Sequence, residues 1–166
     1  YVDATKDVSS LVVNANTTTG DDNIPSNIHQ YQIIAIMDEI LVGSPSHTAG
    51  LINNDYLISF GGVGHVNPRT TEQISYAELM HCTGDVSNEC LSRIPGVVKG
   101  FHMNGSHTTS TNSSTNNNSK PTVSLSYIPI IVCREVDRKL TYKYIQLKPA
   151  VWGGRGLLGC HLTPMK

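Results

Sequence analysis

The stretch "GSPSHTAGLINNDYLISFGG", residues 43–62, carries a complete local instruction set. Ser44 offers a side-chain oxygen to the free N–H groups at the start of a helix, and Pro45 suits the first helical position, where its missing N–H would have no intrahelical partner. Gly50 can take the left-handed conformation that ends a helix. One short helix with both ends marked is expected. Asn53 to Asp55 then make a turn, and residues 56–60 read as a strand closed by Gly61 and Gly62.

Outward from this unit the chain reads as strands. Upstream, "YQIIAIM", residues 31–37, is a β-branched run of the length expected of a largely buried strand. Downstream, "YIPIIVCREVDRKLTYKYIQL" divides into strands at 128–134 and 140–147, joined across 135–139 as a hairpin. A mainly β, partly open antiparallel sheet with two or three short helices is implied. Two further helices are candidates. "TTEQISYAELMHC" sets Thr70 three residues before Gln73 as a capping box, with Ile74, Ala77 and Met80 at helical spacing. "NECLSRIPGVVKG" places Leu91, Ile94 and Val98 on one face, with Ser87 or Asn88 available as a cap. Pro95 removes a hydrogen bond to the carbonyl of residue 91, a cost of roughly 3 kcal/mol, so this helix is expected to kink or to start late.

A chain of 166 residues can build one ordinary core, and about residues 29–166 are expected to form it. Residues 1–28, rich in Asn, Thr, Asp and Ser, read as a flexible polar leader, and about 103–120 as a disordered Asn/Ser/Thr-rich insertion. Asn-x-Ser/Thr sequons at Asn16, Asn104, Asn112 and Asn117 fall in such tracts and arise from their composition. A formal charge of -1 without a dense basic patch argues against nucleic acid or an anionic membrane as partner. No apolar run approaches the roughly 18 residues that cross a bilayer, and the start has no signal-peptide core and no initiator Met, so the chain is expected to be a fragment or processed form. Four cysteines without CxxC spacing read as reduced thiols of a cytoplasmic and nuclear protein.

The end of the chain is unusual. "WGGRGLLGC", residues 152–160, holds four glycines and the lone tryptophan, and is embedded in "LKPAVWGGRGLLGCHLTP". A strand followed by "GSPSHTAGL", an Asp-bearing turn and "YLISFGG" resembles the G-S-P-A-x-x-A-G-L, G-D-x-I pattern of PDZ domains of the bacterial and organellar protease type. The ending, with Pro, Trp, G-x-G-L-L-G-C and a final Pro, is similar to the C-terminus of the proteasome base assembly chaperones, the proteasome non-ATPase regulatory subunit 9 family. "CLSRIPGVVKG" also resembles that family's L-x-x-I-x-x-V-V helix. The resemblance spans residues 31–165, interrupted by extra residues around 66–86 and 103–126.

The resemblance implies a PDZ-like, partly open antiparallel barrel or sandwich, circularly permuted so that the carboxylate-binding loop comes last. Consecutive N–H groups in a glycine-permitted turn form an anion nest, making Leu158, Gly159 and Cys160 donors to a peptide's terminal carboxylate. Gly156 and Gly159 allow the backbone geometry, Leu157 belongs to the same loop, and Arg155 adds attraction for the carboxylate. His161, Leu162 and Thr163 follow as the strand whose edge accepts the peptide. Leu158 with Leu91, Ile94 and Val98 would line the pocket for the last side chain; core packing is the alternative for those three, and residues 74–80 the alternative groove wall. Trp152 is expected to anchor the loop. The implied partner is the C-terminal tail of a proteasomal ATPase subunit, and the implied role is chaperoning of base assembly by a monomer. Family members carry an N-terminal helical region, and nothing in residues 1–28 resembles one.

Catalytic readings find little. GxSxG, HExxH and GxxxxGK[ST] sequences are absent, and "GGVGH" lacks the strand-loop-helix setting of a nucleotide site. His81, Cys82 and Cys90 are the densest set of possible metal ligands, without a second pair at zinc spacing, so no metal and no cofactor is expected. Two other binding roles remain open: a substrate-sensing PDZ domain of a serine or intramembrane protease, and a Golgi-type tethering PDZ. The first needs a catalytic domain and the second a repeat of the domain.

Overall fold

The computed structural model describes residues 23–67, 81–104 and 127–166. Most of the polar leader (1–22), the helix candidate at 70–82 except its last two residues, and the insertion beyond Asn104 lie outside the described residues. The fold is mainly β. A 3-10 turn, Ile28–Gln30, precedes β1 (Ala35–Asp38), α1 (Pro45–Ala49), β2 (Tyr56–Phe60), β3 (Val63–Gly64), α2 (Gly84–Asn104), β4 (Ile128–Val136), β5 (Lys139–Leu147) and β6 (His161–Pro164). The six strands form one antiparallel sheet in the order β5-β4-β2-β1-β6, with β3 paired to β2. The sheet does not close, an arrangement consistent with the PDZ-like fold.

Local signals act as their chemistry requires. Ser44 Oγ accepts from the His47 N–H at 3.2 Å, Pro45 opens α1, and Gly50 ends it at φ 94°. The β4–β5 hairpin turns on Asp137 and Arg138, with φ 51° and 61°. Two positive φ values mark a turn whose twist suits a two-residue hairpin, so both strands run further toward the turn than residue types alone suggested. The 31–37 run is strand only from Ala35, with single bridges from Tyr31 to Val66 and from Ile33 to His81 before it.

α2 is longer than its sequence suggests. It begins at Gly84 and runs through Pro95 to Asn104, so neither Ser87 nor Asn88 is its cap. Ser87 is instead fully buried, donating to the Ile34 carbonyl at 2.6 Å and accepting from the Met165 N–H at 2.9 Å. Pro95 lies on the exposed face. Its cost of roughly 3 kcal/mol is offset by burial of Ile94 and Val98, each contributing about 1.5–3 kcal/mol.

The core lies between one face of the sheet and the two helices. Phe60, Met37, Leu51, Leu57, Ile128, Ile130 and Leu147 are almost fully enclosed, and α2 adds Cys90, Ile94 and Val98. The other face carries Ile33, Ile58, Ile131 and Cys133, with half-buried Tyr31, Tyr56, Tyr142 and Tyr144 around them. The turn after α1 is fastened to β4 by a bidentate pair: Arg134 Nε and Nη2 each donate to the fully buried Asp55 carboxylate at 2.7 Å. Arg134 Nη2 also donates to the Gly50 carbonyl at 2.9 Å, and the Ile52 N–H donates to Asp55 at 3.0 Å. Helix stop, turn and central strand are thus one hydrogen-bonded unit.

Candidate functional site

β6 is an edge strand. It pairs with β1 from Ala35↔Pro164 to Asp38↔His161, and no described strand pairs with its other side. Pro164, which has no N–H for a ladder, is tolerated at such an edge. Beyond it the chain does not fold back along the edge. Met165 bonds to Ser87, and its carbonyl lies against Gly84 at the start of α2.

The loop before β6 is held through its carbonyls. The carbonyl of Leu157 accepts from the Ala150 N–H at 3.2 Å, that of Leu158 from Ser46 at 2.9 Å, and that of Gly159 from Leu41 at 3.0 Å. In a trans peptide the N–H of the next residue points away from the carbonyl. The N–H groups of Leu158, Gly159 and Cys160 are therefore each turned from the anchoring partner. None of the three donates to another group among the described residues. Gly156 and Gly159 both have φ 71°, while Leu157 and Leu158 between them keep negative values. A left-handed Gly159 after a residue of negative φ has the alternation of φ sign found in nests, in which successive N–H groups bear on an anion.

Shape enforces glycine at residue 159. A Cβ there would overlap Ser44 Cβ and come within 2.8 Å of the Trp152 ring. Trp152 is half-buried and covers Gly154 as well, so it is a strut inside the loop; its Nε1 is buried without a partner among the described residues. Arg155 and Gly156 are exposed, Leu157 and Leu158 half-buried. Burial pushes the Cys160 thiol up from its ordinary pKa, against a smaller opposing effect of the Ser46 hydroxyl beside it. Burial thus disfavours the thiolate, and what Cys160 presents at this loop is its main-chain N–H rather than its sulfur.

The groove-helix residues separate by burial. Ile94 and Val98 are only 4% and 8% exposed and belong to the core, whereas Leu91 is half-buried at its margin. Leu157, Leu158, Cys160 and Leu162 pack against the same cluster, so the inner face of β6 and the loop share one apolar surface with α2. A cavity of about 360 Å³ lies elsewhere, beside α1 and the end of β5, lined by Pro45, Ala49, Tyr127, Val151 and Trp152 among others. It includes none of the three N–H donors and no residue of β6.

Sequence reasoning missed the anchors Leu41, Ser46 and Ala150, which act through main-chain N–H groups and leave no side-chain signature. It also missed Asp38 on β1. Its carboxylate lies 3.0 Å from His161 Nδ1 and accepts from Thr163 Oγ1 at 2.7 Å, which holds the carboxyl below its ordinary pKa, Thr163 being the larger cause. All four cysteines are free. Among the described residues no group of three or more His, Cys, Asp or Glu could hold a metal ion, and no helix is long and apolar enough to cross a membrane.

No family model matches this chain, and no curated protein matches it either.

Proposed function

We propose that this chain is a binding module that captures the C-terminal tail of a partner protein. The tail adds as a strand to the outer edge of β6, and its terminal carboxylate meets the N–H groups of Leu158, Gly159 and Cys160. One observation carries the reading: three successive carbonyls are tied to Ala150, Ser46 and Leu41, which leaves three successive N–H groups without a partner among the described residues, beside a strand edge that no described strand covers. Such a loop is built before ligand arrives, so little ordering cost is left for binding. The last side chain of the tail would rest against Leu158, Leu162 and Leu91, with Ile94 and Val98 as the floor beneath. Exposed Arg155 would supply attraction at longer range.

The sequence resemblance to proteasome base assembly chaperones favours the tail of a proteasomal ATPase subunit as the occupant, held while the base assembles. A contact of a few residues is small, and an affinity on the order of micromolar, about -8 kcal/mol, suits a tail that must be released. Titration of ATPase-tail peptides, each as free acid and as terminal amide, tests the reading. The acid is expected to bind at least tenfold more tightly, and equal binding of the two forms would refute carboxylate capture.

A further inference from the structure

We propose that the outer face of β6 reads the next-to-last residue of the captured tail, and that Asp38, set by His161 and Thr163, selects a cationic side chain there over a carboxylate. This rests on the tail-capture reading above.

Strand alternation fixes the register. Met37 exchanges both main-chain bonds with the turn before β2: its N–H donates to the Asp55 carbonyl and its carbonyl accepts from Asn54, each at 2.8 Å. Its neighbour Asp38 therefore turns its main chain toward β6, opposite His161. With His161 and Thr163 bonded inward, the main-chain groups of Cys160 and Leu162 face the edge that no described strand covers. A tail running antiparallel to β6, its carboxylate on the N–H groups of 158–160, sets its last residue opposite Cys160. The next-to-last residue then lies opposite His161 and the third from last opposite Leu162.

Residues directly opposite share a face of the sheet. Cys160 and Leu162 pack against the core cluster that includes α2, so the last and third-from-last side chains point that way. The next-to-last side chain goes to the other face, above His161. There the Asp38 carboxylate is pinned by Thr163 at 2.7 Å and by His161 at 3.0 Å. A carboxylate has about four lone-pair sites, so it retains acceptor capacity for a donor from the ligand. The platform is open, with Asp38 and His161 side chains 39% and 60% exposed. Exposed Glu39 follows directly and adds negative charge at the same end of β1.

Exposed pairs give modest discrimination, so a ratio of about 3- to 10-fold between cationic and acidic residues is expected. The test uses free-acid hexapeptides ending in Lys-Leu, Gln-Leu or Glu-Leu, together with the amide of the first, titrated into the whole chain by fluorescence anisotropy. Affinity should fall in that order among the acids. The Lys/Glu ratio should shrink toward unity between about 50 and about 500 mM NaCl, since exposed charges are screened. Asp38→Asn should bring it below about twofold; the salt series on the unaltered chain is an independent readout should that variant unfold. Equal affinity for the three acids with the acid/amide difference intact, or a ratio unchanged in a folded Asp38→Asn chain, would overturn this inference alone. Equal binding of acid and amide, or no binding of any peptide, would overturn tail capture together with it.

Discussion

Gly159 and Ser44 stand so close that a Cβ on Gly159 would overlap the Ser44 Cβ and sit 2.7 Å from its Oγ. The N-cap of α1 thus dictates a glycine in a loop more than a hundred residues later. The helix stays in place because its own ends are capped, and the loop takes its shape against it.

Gly159→Ala is therefore expected to lose tail binding by at least tenfold and to lower stability by about 1–3 kcal/mol through overlap, beyond the strain of a left-handed alanine. Gly156→Ala has the same φ of 71° but nothing within 4 Å of the added methyl. It should cost only about 1–2 kcal/mol and keep the acid/amide difference. Parallel thermal melts and peptide titrations of the two variants check the contrast.

Asp55 and Arg134 form a bidentate pair with the carboxylate fully buried. Replacing Arg134 by Met leaves a buried charge without its partner, a loss expected at about 3–5 kcal/mol. Chemical denaturation of the unaltered chain and Arg134→Met measures it, and a change below about 1 kcal/mol would mean that the pair contributes little beyond register.

Acid should loosen β6 before the rest of the sheet. The folded pKa of Asp38 lies below its ordinary value because Thr163 and His161 favour the carboxylate. A carboxyl with a depressed folded pKa contributes stability that is fully present above its unfolded value, near 4, and is lost as pH falls through the folded one. Amide exchange of the β1–β6 ladder is expected to quicken below about pH 4, and this acid-dependent step should be absent in Asp38→Asn.

The cysteines should be poor nucleophiles in the native chain. Burial pushes the Cys133 thiol up to about 12 and the Cys82 thiol up to about 11, and raises Cys90 and Cys160 as well. Iodoacetamide at pH 8 should leave all four largely unlabelled until denaturant is added, read by intact mass. Rapid native labelling of Cys160 would mean that the loop opens readily.

What the sequence made legible was local. Ser44, Pro45 and Gly50 name a helix and its ends within a few residues, and the strand expected at residues 56–60 is β2, Tyr56–Phe60. The long helix was harder, because a proline penalty is visible in sequence whereas the burial of Ile94 and Val98 that outweighs it appears only after folding. Ser87 looked like a cap because serine near a helix start usually is one; its role in joining Ile34 to Met165 depends on elements far apart in the chain. Asp38 gave no signal, since only the sheet order sets β1 beside β6.

Carboxylate capture requires three N–H groups, and each can be watched singly. In a ¹⁵N–¹H titration with a free-acid ATPase-tail peptide, the amides of Leu158, Gly159 and Cys160 should move downfield together and saturably. The amide form of the same peptide should leave them in place. Binding of the acid that shifts other residues while these three stay still would contradict the account.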